Sequence, residues 1–273
     1  MKQRDITIVT GILDIGREHI SGKTIGRRKF KIYLRSLNKI MRMNVAMIIY
    51  IQKKYEHIVW KKRKKENTQV ILIKSSELKK FPYFKEIQKI QKSKEWVSQV
   101  SWLKESPQYQ LKYYNPLVMS KLYWLKDASK NNLFNTKYFI WLDGGICHSV
   151  SGKFFRKKKS FVNKIENLNK FLLLNFPLPK GNEIHGFELR KCEEYAKSKI
   201  RRVARAGIFG GNKKSIEKVS KIYDKILKDS LKKGYVGTEE SILTILMYLY
   251  PKLFRIYKLK TPHIEEFFKN KTK

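Results

Sequence analysis

The chain is expected to fold as an α/β protein, a mainly parallel sheet flanked by helices, on three observations. Strand-length apolar runs alternate with segments of helical apolar spacing through most of the sequence, the pattern of successive βα units. The run YFIWLDGGICH, residues 138–148, takes aromatic and aliphatic residues straight into a lone acid and two glycines. A buried parallel strand ends that way where it meets a ligand crevice. With 273 residues, 42% of them hydrophobic, the chain has ample apolar material for a core and is not a disordered tail.

The elements follow in order. Residues 6–10 (ITIVT) read as a short buried strand ending at Gly11. Phe30, Tyr33, Leu34, Leu37, Ile40 and Met41 recur at helical spacing. Residues 45–51 (VAMIIYI) and 69–73 (QVILI) are two further strands, separated by a basic run at 61–65. Residues 84–101 and 120–130 have amphipathic helical character, and 138–143 is the next strand. Residues 151–200 are less regular, with short strands expected near Phe171 and Phe187. Residues 208–211 (IFGG) read as a strand running into a tight turn. Ile216, Val219, Tyr223, Ile226, Leu227 and Leu231 mark one face of a helix stopped by Gly234. Thr238 is the expected cap of a last helix, with Glu239 and Glu240 in its first turn, where the dipole favours acids; Pro251 ends it.

The charge is extreme: 61 basic against 23 acidic residues, a net +38. Such a surface attracts polyanions, including anionic lipid head groups and nucleotide phosphates. Only 13 of the 61 are arginines, and the lysines are spread along the whole chain. That pattern argues for a solvated, lysine-rich surface first, membrane attraction second and specific nucleic-acid binding third. The aromatics sit inside apolar periodic segments, as at Tyr138, Phe139 and Trp141, and not on an exposed basic face. No apolar run reaches membrane-spanning length and no signal-peptide pattern opens the sequence, so a cytoplasmic protein is expected, peripheral on the inner face of the membrane where it meets lipid. Cys147 and Cys192 give no disulfide framework and read as small buried residues.

Common site motifs are absent or incomplete. Ser21-Gly22-Lys23-Thr24 imitates the end of a P-loop, but the glycine required five residues before Gly22 is replaced by Arg17. The five histidines show no HxxxH or HExxH spacing, and a zinc site from Cys147, His148, His185 and Cys192 lacks closely paired ligands. Polar groups do follow strand-like segments in four places: residues 10–17 (TGILDIGR), Asp143-Gly144-Gly145, residues 201–211 (RRVARAGIFGG), and residues 237–241 (GTEES). Each alone reads equally as a turn. Together they set acids and arginines at one sheet edge.

At this level the chain resembles the WlaTC/HtrL family of glycosyltransferases, which have a GT-A-like, Rossmann-like nucleotide-sugar fold. The resemblance rests on residues 7–17 (TIVTGILDIGR), 120–148 (SKLYWLKDASKNNLFNTKYFIWLDGGICH), 206–211 (AGIFGG) and 237–243 (GTEESIL), in the family's order and nearly end to end. It implies one domain over residues 1–273, with a nucleotide-binding half at about 1–150 and an acceptor-side half at about 151–273. It further implies transfer of a hexose from a nucleotide-diphosphate sugar to a glycan or glycolipid acceptor, in surface polysaccharide or lipopolysaccharide biosynthesis. Thr10, Gly11, Asp14, Arg17, Lys121, Gly210 and Gly211 are the implied substrate-binding residues. Asp143, Glu239 and Glu240 are the implied catalytic residues, and Asp143 with His263 the implied ligands of Mn²⁺ or Mg²⁺. The usual GT-A motif is Asp-any-Asp, and here its third position is Gly145. A single carboxylate grips a hard dication poorly, so a lysine or arginine neutralising the leaving group is the alternative. The rival readings are a basic nucleic-acid-binding protein and a degenerate, non-catalytic nucleotide-sugar-binding protein.

Overall fold

The computed structural model describes residues 5–21, 27–155, 164–165 and 168–269. Within them, nine strands form, β1 (Ile6–Ile12), β2 (Ala46–Ile51), β3 (Thr68–Leu72), β4 (Tyr138–Leu142), β5 (Phe171–Pro177), β6 (Glu183–Ile184), β7 (Phe187–Glu188), β8 (Arg202–Asn212) and β9 (Phe254–Lys258). The main helices are α1 (Phe30–Ile40), α2 (Phe84–Gln91), α3 (Tyr114–Asn131), α4 (Leu189–Ala196), α5 (Lys213–Lys232) and α6 (Glu239–Leu249). Gly22 to Thr24 of the P-loop-like segment lie outside the described residues.

Seven strands make one sheet in the order β3-β2-β1-β4-β8-β5-β9. β1, β2, β3 and β4 pair in parallel, as do β5 and β9, while β8 runs antiparallel between β4 and β5. The architecture is therefore α/β, with a mainly parallel sheet flanked by helices. Its central strands are apolar on both faces, as the uninterrupted runs demand: Ile6, Ile8, Val9 and Phe139 to Leu142 are each at most 2% exposed. Each such large side chain contributes roughly 1.5–3 kcal/mol by leaving water. The chain winds outward from β1 to β2 and β3, then returns to place β4 on the other side of β1. That reversal opens a crevice beyond the C-terminal ends of β1 and β4, the place where open α/β sheets bind ligands.

Several expectations need correction. The helix expected over 84–101 breaks after α2, because the Ser93 hydroxyl accepts from the Trp96 amide and caps a new turn over Lys94–Val97. The helix expected at 120–130 begins earlier, at Tyr114, with Pro116 tolerated in its first turn. The strand expected at 208–211 is the 11-residue β8, and its glycines do not form a turn. Gly210, at φ 148°, passes so close to β4 that a Cβ there would lie 2.2 Å from the Phe139 carbonyl; a Cβ on Gly211 would lie 2.4 Å from Ser215 Oγ. Both glycines permit close packing inside the sheet. The short strand expected near Phe187 is β7, but its partner β6 and the edge strand β9 were not anticipated; β9 is short and alternates apolar with basic residues (FRIYK), so it lacks the continuous apolar run of the inner strands.

Candidate active site

The crevice at the β1–β4 reversal is a cleft of about 290 Å³ whose walls include Gly11, Arg17, Arg28, Lys121, Asp143, His148, His185, Arg205, Glu239 and Glu240. Four segments meet there. The β1 end contributes Gly11, and the loop beyond it Arg17. The β4 end contributes Asp143 and Gly144, and these tips interlock: a Cβ on Gly144 would lie 2.4 Å from Ile12 Cγ2 and 2.8 Å from the Gly11 carbonyl. β8 supplies Arg205 and the start of α6 supplies both glutamates. Asn115 of α3 fixes the approach to α6 by donating to the Gly237 carbonyl at 2.6 Å.

Lys121, projecting from α3, is the hub. Its Nζ lies 2.8 Å from Asp143 Oδ1 and 2.7 Å from Glu239 Oε1, with only 11% of its side chain exposed. Burial opposes its charge, but Asp143 and Glu239 outweigh burial and hold the ammonium protonated well above the ordinary lysine range. Asp143 Oδ1 also accepts from Trp141 Nε1 at 2.7 Å. One cation cannot balance every acid around it. The deficit falls on Glu239, whose carboxyl is pushed up to about 7, first by burial and further by Glu240 and Asp143, against the pull of Lys121.

Glu240 has the opposite environment. Burial would raise it, but the Arg205 guanidinium at 3.2 Å, His185 Nε2 at 2.7 Å and the Ala206 amide at 2.8 Å hold its carboxyl well below the usual range. Two adjacent acids thus have their proton affinities driven apart, the pattern that separates roles in acid–base sites. His185 reaches Glu240 from the two-residue turn of the β6–β7 hairpin, where it sits at φ 51° beside Gly186 at φ 87°. Positive φ at both central positions suits the twist of a tight hairpin, and a non-glycine residue held there is strained. His148 Nδ1 donates to the Gly145 carbonyl at 2.5 Å, which leaves Nε2 to accept from Arg28 at 3.0 Å. Burial lowers its pKa, in the direction of the neutral ring that accepting from Arg28 requires. Arg17 lies over the Tyr33 and Tyr114 rings, 5.8 and 5.3 Å from their centroids.

Of the residues singled out from sequence, Gly11, Arg17, Lys121, Asp143, Glu239 and Glu240 line this one cleft. The others lie elsewhere. Thr10 is fully buried in β1. Asp14 pins its own loop, accepting from the Gly16 amide at 3.3 Å and from Lys54 at 3.4 Å. Gly210 and Gly211 are interior to the sheet. His263 is exposed, its amide on Thr261 Oγ1, and its neighbour Ile264 faces the cleft. Arg28 was not singled out, Arg205 entered only within the 201–211 segment, and His148 and His185 were named as ligands only in the rejected zinc set. Gly186 marks a turn after His185, but the flanking strands are too short to have shown the hairpin in the sequence.

A divalent cation needs several oxygen ligands. Among the described residues, no three His, Cys, Asp or Glu side chains gather as a metal site. Asp143 Oδ1 already takes two donors, and Glu239 and Glu240 are paired with bases. The donor set therefore does not fit a protein-held Mn²⁺ or Mg²⁺. Cys192 is buried on α4 and Cys147 is half-buried, both as free thiols.

No curated protein matches the chain by sequence. Among solved structures, mouse xyloside xylosyltransferase 1 in its apo form is similar at 9% identity and TM-score 0.46, over 98% of this chain and 94% of that one. A CMP:2-keto-3-deoxy-manno-octonic acid synthetase complexed with CTP is similar at 8% identity and TM-score 0.42, over 94% and 90%. The 4-diphosphocytidyl-2C-methyl-D-erythritol synthase from Anaerococcus prevotii DSM 20548 is similar at 12% identity and TM-score 0.41, over 97% and 93%. Likenesses this remote concern chain arrangement and carry nothing about activity. The family model HtrL_YibB, described as a bacterial protein of unknown function, matches residues 4–268. The chain belongs to the HtrL_YibB family.

Proposed function

We propose that the protein is a glycosyltransferase that moves a hexose from a nucleoside-diphosphate sugar to a hydroxyl of a glycan or glycolipid acceptor, in surface polysaccharide or lipopolysaccharide biosynthesis. The observation that carries this reading is the charge layout of one cleft. Arg17, Arg28, Lys121 and Arg205 line the same cleft as Glu239, whose carboxyl burial pushes up to about 7. A diphosphate leaving group needs cations where its charge develops, and an acceptor hydroxyl needs a base whose proton affinity lies near the working pH.

In the proposed reaction the acceptor oxygen bonds to the anomeric carbon as the bond from that carbon to the β-phosphate oxygen breaks. The bonding electron pair leaves with the nucleoside diphosphate, which Lys121 and the arginines stabilise. The acceptor proton passes to the Glu239 carboxylate. Asp143 orients Lys121, and Glu240 orients Arg205 and His185. Among the described residues no helix is long and apolar enough to cross a membrane. Access to a lipid-linked acceptor would therefore rest on peripheral attraction of the +38 surface to an anionic bilayer.

The test is nucleotide release from UDP-, GDP-, CDP- and dTDP-hexoses, with and without lipopolysaccharide-derived acceptors. Acceptor-dependent release is expected from at least one donor and is lost in Glu239→Gln under conditions where the variant is still folded. No release from any donor, or full activity in Glu239→Gln, rejects the assignment.

A further inference from the structure

The acids of the cleft are arranged to hold side-chain cations, which leaves them unsuited to a metal. Asp143 and Glu239 share the Lys121 ammonium at 2.8 and 2.7 Å, and Glu240 holds Arg205 at 3.2 Å. A dication bound at Asp143 would sit against the buried ammonium, and like charges in a shielded site repel strongly. The cations, in contrast, have fixed seats. Arg28 donates to His148 Nε2 at 3.0 Å, and Arg17 lies over two tyrosine rings. An ammonium has three N–H donors. Lys121 directs two at carboxylates, Asp143 and Glu239. Positioned cations need little reorganisation when charge develops on a leaving group.

We propose, building on the glycosyltransferase reading, that this cleft binds the diphosphate of its donor without a divalent cation. Lys121, Arg28 and Arg205 neutralise the diphosphate charge in place of a metal. Lys121 is the central group because it is the buried one, and Asp143 acts as a positioning residue that keeps its ammonium in place.

The experiment is isothermal titration of the full chain with UDP, GDP, CDP and dTDP in 0.2 M NaCl, once with EDTA and once with Mn²⁺, alongside Mn²⁺ alone. At least one nucleotide is expected to bind in EDTA, with Mn²⁺ changing its Kd by less than about threefold. Arg28→Gln is expected to weaken that binding by about tenfold or more in EDTA, as loss of a hydrogen bond to a charged group does. Removing one charge of a net +38 barely alters general attraction, so a tenfold loss reports the site itself. Lys121→Met should weaken binding further where the variant folds. Binding that appears only with Mn²⁺ overturns this inference and leaves the glycosyltransferase reading standing. Unchanged binding in Arg28→Gln overturns the assignment of these cations as the replacement for a metal. No binding with or without metal overturns the donor-site reading and this inference with it.

Discussion

Lys121→Met should destabilise the fold in a pH-dependent way, and the size of the effect follows from the site. Methionine matches the stem of lysine but removes the ammonium that lies 2.7 Å from Glu239 and 2.8 Å from Asp143. Breaking a buried pair by deleting one partner costs about 3–5 kcal/mol. The sign of the pH dependence is set by Glu239, whose folded pKa is raised from 4.5 to about 7. A raised folded pKa gives stability that is fully present below the unfolded pKa and is lost as pH rises through the folded one. The wild type therefore loses stability between pH 6 and 8. In the variant Glu239 has no cation, so burial raises its carboxyl further and stability keeps falling across more of that window than in the wild type. Lys121→Met should thus cost on the order of 1 kcal/mol more at pH 8 than at pH 6. Urea unfolding at both pH values measures this directly. Adding Glu239→Gln removes the unpaired acid and should recover part of the loss and flatten the difference. A loss equal at both pH values, or single-mutant effects that simply add, would refute the assignment of Glu239 and Lys121 as a coupled buried pair.

Asp143→Asn should fold normally, since the change is nearly isosteric, and should reduce sugar transfer by about 10²–10³, the usual cost of removing an electrostatic group at a reacting centre; near-wild-type turnover would exclude that role. Gly144→Ala places a Cβ 2.4 Å from Ile12 Cγ2 and 2.8 Å from a backbone carbonyl, and should cost about 1–3 kcal/mol in urea unfolding. The transfer rate should rise with pH through about 7 as Glu239 loses its proton, and this limb should vanish in Glu239→Gln. Binding to anionic vesicles should fade as salt rises, because surface attraction is screened over about 10 Å at 0.1 M; sedimentation with neutral vesicles is the comparison.

The parallel half of the sheet was legible because its strands are apolar on both faces. Residues 6–10, 45–51 and 138–143 announce themselves by composition, and their C-terminal ends marked the edge where Gly11 and Asp143 meet. α5 and α6 were equally visible, one from its apolar face and the other from the cap at Thr238. What stayed hidden depended on partners distant in sequence. His185 comes to Glu240 only through a hairpin of two-residue strands, too short to show alternation. Lys121 emerged from family resemblance, since nothing in its local sequence separates it from 47 other lysines. Glu239 and Glu240 looked alike, two acids completing a helix dipole; only the fold gives one Arg205 and His185 and leaves the other half of one lysine.

β8 shows why composition misled. Its glycines suggested a turn, yet the strand continues and its irregularity lies further back. Against β5 the register jumps from Leu173 opposite Phe209 to Leu174 opposite Arg205, so Ala206, Gly207 and Ile208 fall out of that ladder. A bulge of this kind frees backbone groups and re-aims side chains. The freed Ala206 amide donates to Glu240, the Gly207 carbonyl accepts from the Asp143 amide at 3.0 Å, and Arg205 turns to Glu240. β8 thus reaches both acidic ends of the cleft, Glu240 on α6 through the bulge against β5 and Asp143 through its unbroken ladder with β4. Gly207 must remain small, because a Cβ there would meet Ile264 Cδ1 at 2.3 Å, while Gly210 and Gly211 are small for packing against β4 and Ser215. The segment AGIFGG therefore combines site-building and sheet-packing glycines within six residues, a distinction that lies in the register and not in the letters.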